Sequence, residues 1–165
     1  MKTVAQFVHQ HPLFAGMESE QVDFIAQCGG LHRFAEGELI ARENEPANTF
    51  YLLLEGRVAI EVHRPNQPPV SLITLGANEV VGWSWLIPPY RWEFDIRAVT
   101  PLRTVQFDGR CLRDKCEADP AMGFDLLRRI MATMAARIQH TRFQLLDIYG
   151  DDPIDGDPIK GAPTP

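Results

Sequence analysis

The sequence predicts a mainly β domain with flanking helices, and three patterns predict it. From about residue 31 to 108 apolar and polar residues alternate with period two between closely spaced turn signals. Before that stretch, Val22, Ile25 and Ala26 fall on one face at helical spacing. After it, residues 121–149 contain no proline and repeat apolar side chains every three or four positions.

Taken in order, residues 3–10 and 18–28 read as two short helices separated by Pro12. Ser19 is a candidate cap for the second helix, and Gly29-Gly30 is a stop signal. Candidate strands are 31–35, 38–42, 48–54, 57–63, 69–75, 79–82, 92–99 and 102–108. Their breaks are Glu36-Gly37, Glu55-Gly56, Pro65 to Pro69, Gly76, Pro88-Pro89 and Pro101. Many short strands with such breaks argue a β-sandwich or roll. Residues 109–117 read as a short helix, and Pro120 suits the first turn of a long one over 120–149.

Within the long helix, Leu127, Met131, Met134, Ile138, Thr141, Leu145 and Ile148 are spaced 4, 3, 4, 3, 4, 3. This heptad seam predicts a homodimer through the C-terminal helix. The other assignment is that the stripe packs on the chain's own β region. A second apolar set, Leu126, Ile130 and Phe143, is available for that purpose, and a helix apolar on two sides has two faces to bury.

The 165 residues suffice for one domain with a substantial core. No apolar run approaches the roughly 20 residues of a membrane helix, and the N-terminus lacks the apolar core and cleavage site of a secretory signal. The expectation is a cytoplasmic protein. The net charge is −6; residues 147–165 carry five Asp and one Lys, or −4, leaving −2 on the body. A nearly balanced body with an acidic end is a poor electrostatic match for nucleic acid. The three cysteines, Cys28, Cys111 and Cys116, are odd in number and widely spaced, so reduced, partly buried thiols are expected rather than a disulfide framework.

The stretch from Phe34 to Val58, FAEGELIARENEPANTFYLLLEGRV, with Leu13-Phe14, Ala98 and the long helix, resembles the cyclic-nucleotide-binding domain family. Asn44 stands where this pattern usually has Gly, and Asn tolerates the left-handed backbone of such a turn. The resemblance covers about residues 10–148. It implies a double-stranded β-helix, that is, a jelly-roll-like β-roll, at about 31–108 within a domain of residues 1–149. Residues 150–165, rich in Asp, Pro and Gly, are expected to be a disordered acidic tail.

The resemblance also implies a phosphate-binding cassette after the sixth strand. In ligand-binding members a Gly-Glu pair is followed about ten residues later by Arg-Ser/Thr. The Glu accepts from the ribose hydroxyl, and the Arg and a helix N-terminus hold the cyclic phosphate. Here Gly82 matches, but Trp83 takes the Glu position and Trp92-Glu93 the Arg-Ser position. A carboxylate at Glu93 would repel a phosphate. Arg91 lies one residue early, which on a strand points to the other face, unless Pro88-Pro89 reshapes the loop. Arg97 could serve only with a longer cassette loop; otherwise it is a surface or salt-bridged strand arginine. Cyclic AMP or cyclic GMP is therefore disfavoured as a ligand.

Trp83, Trp85 and Trp92 are all the tryptophans of the chain, and Tyr90 and Phe94 lie among them. Four readings stay open. The indoles fill the pocket; or they line one altered for a flat or apolar ligand, with Ser84, Arg91 and Arg97 as polar contacts; or they form a protein-binding surface; or they are simply core.

No nucleophile elbow, Walker loop or paired carboxylates appear, and His9 and His11 lack partners at metal-site spacing. No metal or catalytic residue is expected, and nothing marks a haem ligand. The helix-turn-helix that follows the long helix in transcription factors of this fold would need several dozen further residues, so direct DNA binding is not expected. The sequence thus predicts a non-catalytic sensor module acting through an unidentified protein partner. The alternative is an accessory or scaffold subunit of a larger complex with a degenerate, ligand-free pocket.

Overall fold

Thr3 accepts from the Gln6 amide while the Gln6 side chain accepts from the Thr3 amide, a reciprocal cap that starts helix α1, Val4–Gln10. A computed structural model of the chain carries this description over residues 2–149, with side chains for residues 2–143. Pro12–Phe14 form a 3-10 turn whose start is capped by His11, Nδ1 accepting from the Leu13 amide. Helix α2 is Ser19–Ala26; Glu18 precedes it without a side-chain cap, so Ser19 is its first residue and not its cap.

Eight antiparallel strands follow: β1 Gly29–Phe34, β2 Leu39–Ala41, β3 Thr49–Glu55, β4 Val58–Val62, β5 Val70–Leu75, β6 Val80–Val81, β7 Asp95–Ala98 and β8 Leu102–Asp108. They form two four-stranded sheets, β1-β8-β3-β6 and β2-β7-β4-β5. This is the β-roll, and each expected strand is present. Asn44 has φ 67°, as the turn chemistry requires. Helices α3, Gly109–Ala118, and α4, Pro120–Tyr149, complete the order of elements.

The inner faces meet in a core of Ala41, Ala47, Tyr51, Leu53, Val58, Leu75, Val81, Trp92, Ile96, Ala98 and Leu102. The strand expected at 92–99 begins three residues later. Trp92 bonds elsewhere: its amide donates to Glu45 O at 2.9 Å and its carbonyl accepts from Asn44 at 2.8 Å.

A second departure concerns the cysteines. Cys28 and Cys111 form a disulfide, with Cα atoms 5.7 Å apart, where three reduced thiols were expected. The cause is strand pairing. Gly29 lies opposite Phe107, the Asp108 amide donates to Cys28 O, and the first turn of α3 brings Cys111 back over Cys28. Cys116 stays free, and burial, then the charge of Asp119, pushes its thiol up.

The chain divides into Met1–Ile130 and a second unit from Met131. Within the first, Met122, Leu126 and Ile130 of α4 are buried. Arg129 bonds Asp125 and donates to Leu13 O and Ala15 O. Arg129 and then Arg128 hold the Asp125 carboxyl below its usual range. Phe143, expected beside Leu126 and Ile130 in the buried set, is instead 66% exposed. In the seam, Leu127, Met131 and Ile138 are exposed, Met134 is half-buried and Thr141 is exposed, its hydroxyl donating to Arg137 O. The side chains of Leu145 and Ile148, and the tail at 150–165, lie outside the described residues.

Candidate functional site

Gly82 ends β6 with φ +89°, a conformation that other residues rarely adopt. It turns the chain out of the sheet into residues 83–86, closed by a bond from the Leu86 amide to Trp83 O. The Pro88-Pro89 bond is cis, and Tyr90 has φ 54°. The chain then returns along the loop between β2 and β3. The Ala47 amide donates to Tyr90 O at 2.7 Å, Pro46 bridges to Arg91, and Arg91 donates to Asn44 O.

This path divides the aromatic cluster. Trp92 is 7% exposed and stacks on Tyr51 with ring centroids 6.3 Å apart. A Cβ on Gly82 would lie 2.7 Å from Trp92 Cη2, so the indole rests directly on the bare Gly82 backbone. Trp85 is fully buried against Phe50, its Nε1 without a hydrogen-bond partner. Ser84 is buried, whereas Trp83 is half-buried. Burial raises the Tyr51 phenol above its usual value, offset in part by the Thr49 hydroxyl 3.2 Å away.

The charged candidates do not converge. Arg91 and Glu93 are exposed. Arg97 lies on β7, bonded to Glu61 at 3.0 Å and to Gly37 O at 3.0 Å. Buried Asp95 accepts from the Glu43 amide at 2.8 Å. Arg113 is the contact that sequence reasoning missed. From α3 it donates to Trp85 O at 2.6 Å and stacks over Tyr90 at 4.3 Å. Nothing in the spacing of a helical arginine signals a partner 28 residues upstream. Among the described residues no group of three or more His, Cys, Asp or Glu could hold a metal ion, and no helix is long and apolar enough to cross a membrane.

The antiparallel roll, the loop between β6 and β7, and the long helix that follows in sequence have the fold of a cyclic nucleotide-binding regulatory domain. The chain belongs to the cyclic nucleotide-binding domain family, whose family model matches residues 31–119. Its fold is similar to that of a protein of Geobacter metallireducens assigned as cyclic nucleotide-binding, with TM-score 0.74 and 29% identity over 83% of this chain and 99% of that one. It is 24% identical over 140 residues to a CRP-like cAMP-activated global transcriptional regulator of Mycobacterium tuberculosis, covering 85% of this chain but 61% of that protein's length. The regulatory subunit of a cAMP-independent protein kinase A from Trypanosoma brucei has a similar fold, with TM-score 0.64 and 22% identity over 78% of this chain and 46% of that one. A variant of it with three substitutions, one of which introduces an arginine, is bound to cAMP in its A site.

Proposed function

We propose that this chain is a non-catalytic regulatory module of the cyclic nucleotide-binding type with an altered phosphate-binding cassette, acting through a partner protein as a homodimer joined by α4. The observation that carries this reading is the position of Trp92. By resemblance it stands where ligand-binding relatives place the arginine that holds the cyclic phosphate. Its indole instead lies in the core on Tyr51 and Gly82. Trp83 stands at the place of the carboxylate that accepts from the ribose, and an indole N–H only donates. The remaining arginines of the region are engaged, Arg91 with Asn44 O and Arg97 with Glu61.

Thermal denaturation with millimolar cyclic AMP or cyclic GMP tests the reading. A ligand at 100 times its dissociation constant stabilises by about 2.7 kcal/mol, so an unchanged melting temperature is expected. A rise with either nucleotide would overturn the altered cassette. The kinase subunit from Trypanosoma brucei supports the arginine of a companion variant, since a form of it that gains an arginine among its three substitutions holds cAMP. The double change Trp83→Glu and Trp92→Arg restores both groups and is expected to introduce a nucleotide-dependent shift.

The alternative, an accessory subunit with a ligand-free interior, is favoured by the exposed tip of the same loop, where Ile87 is 51% exposed beside Pro88 and Pro89. A screen of apolar and aromatic ligands separates the two. A stabilising compound supports a sensor, and loss of partner capture on Ile87→Asp supports a docking subunit.

A further inference from the structure

Helix α3 lies between two contacts. Toward the cassette turn, Arg113 bonds Trp85 O and stacks on Tyr90, and a Cβ on Gly109 would lie 2.8 Å from Trp85 Cβ. Toward α2, the Lys115 ammonium bonds Gln27 Oε1 at 2.9 Å and sits 3.4 Å from the Phe24 ring centroid. The Cys28–Cys111 disulfide is the covalent member of that second set. The non-covalent ties on that side also include the Asp108 amide, which donates to Cys28 O, and the side chain of Leu112, which is buried. Of these ties the disulfide is the one that a change of redox state can open.

We propose that Cys28–Cys111 is a redox clamp on α3, and that a dithiol reductant opens it and loosens the 83–91 turn through Arg113. Cys111 is the more accessible half, half-buried where Cys28 is 8% exposed. A thiolate of the reductant attacks Cys111 Sγ, forming a mixed disulfide and releasing Cys28 as thiolate, which takes a proton. The second thiol of the reductant attacks its own sulfur in the mixed disulfide and frees Cys111. Two electrons and two protons pass to the protein, and the reductant leaves as its disulfide. Without the tether, α3 is held on that side by non-covalent contacts only, the Lys115 pair, the Asp108 amide bond to Cys28 O and the buried Leu112, and the Arg113 bond to Trp85 O loses its fixed base. The clamp does not depend on what the interior of the roll binds.

The test uses the full chain, oxidised with glutathione disulfide or reduced with dithiothreitol. Alkylation after denaturation is expected to label one cysteine per chain, Cys116, in the oxidised form and three in the reduced form. Over short labelling times amide hydrogen exchange is expected to be several-fold faster at 83–91 and 109–118 in the reduced form, while β3 and β8 stay protected in both forms. Three labelled cysteines after oxidation would overturn the proposal. So would equal exchange in the two forms, or loss of protection throughout the roll, which would make the bond a structural staple. Cys116→Ser must keep the response; its loss there overturns the assignment to Cys28 and Cys111. In Arg113→Ala the 83–91 segment should no longer respond to reduction, and a response of full size overturns the route through Arg113.

Discussion

Trp92 lies on the backbone of Gly82, close enough that a single added carbon would sit 2.7 Å from its ring. A backbone turn that only glycine takes easily and a side chain that only a bare backbone accommodates therefore require each other. This contact joins the end of β6 to the return of the loop between β6 and β7, and it places the bulk of an indole in the core of the roll.

Gly82→Ala meets two costs, the left-handed φ of +89° and the overlap with Trp92. Together they are expected to remove about 2 to 4 kcal/mol of stability. Urea denaturation measures it, and a loss under about 0.5 kcal/mol, the size of an ordinary surface change, would mean that the contact yields freely.

His11 makes stability depend on pH. Burial lowers its imidazole from 6.5 to about 4, partly offset by the backbone of Glu79. The folded value lies below the unfolded one, so the unfolded chain binds the proton first. Stability from this group is full above pH 6.5, falls as pH drops from 6.5 toward 4, and levels off below that. The total loss is about 3 kcal/mol. His11→Asn keeps an acceptor for the Leu13 amide and should flatten the stability profile between pH 6.5 and 4. An identical slope in the variant would assign the dependence to other groups.

The disulfide closes a loop between residues 83 apart in sequence. Cys28→Ser with Cys111→Ser is expected to cost about 2 to 4 kcal/mol relative to the oxidised protein. The midpoint of the double variant should match that of the reduced natural chain. A reduced chain as stable as the oxidised one would show that the bond constrains nothing in the unfolded state.

Along α4, Met131 and Ile138 are 53% and 54% exposed in the single chain. A homodimer through this helix would cover them, and apolar surface of this kind favours burial. Light scattering is expected to give twice the chain mass for the natural protein and the chain mass for Met134→Glu with Ile138→Glu. A monomer at high concentration before any substitution would remove the seam as an interface.

The sequence by itself determined the elements and the turns, because those are local. Asn44 and Gly82 adopt the left-handed backbone that their side chains permit, period two marks the strands, and the apolar repeat runs the length of α4. By resemblance it also put Trp83 and Trp92 at the positions where ligand-binding relatives carry an acid and an arginine. Pairings between distant segments were decided only in the tertiary structure. Cys28 meets Cys111 because β1 and β8 lie side by side in register, which no count of cysteines reveals. Trp92 leaves its expected strand because its amide and carbonyl bond Glu45 and Asn44. Arg113 finds Trp85 O because α3 starts on the end of β8, where the Gly109 amide donates to Asn48 O. Local conformation is written in neighbouring residues, whereas contacts across a roll depend on sheet register, which sets positions tens of residues apart at once.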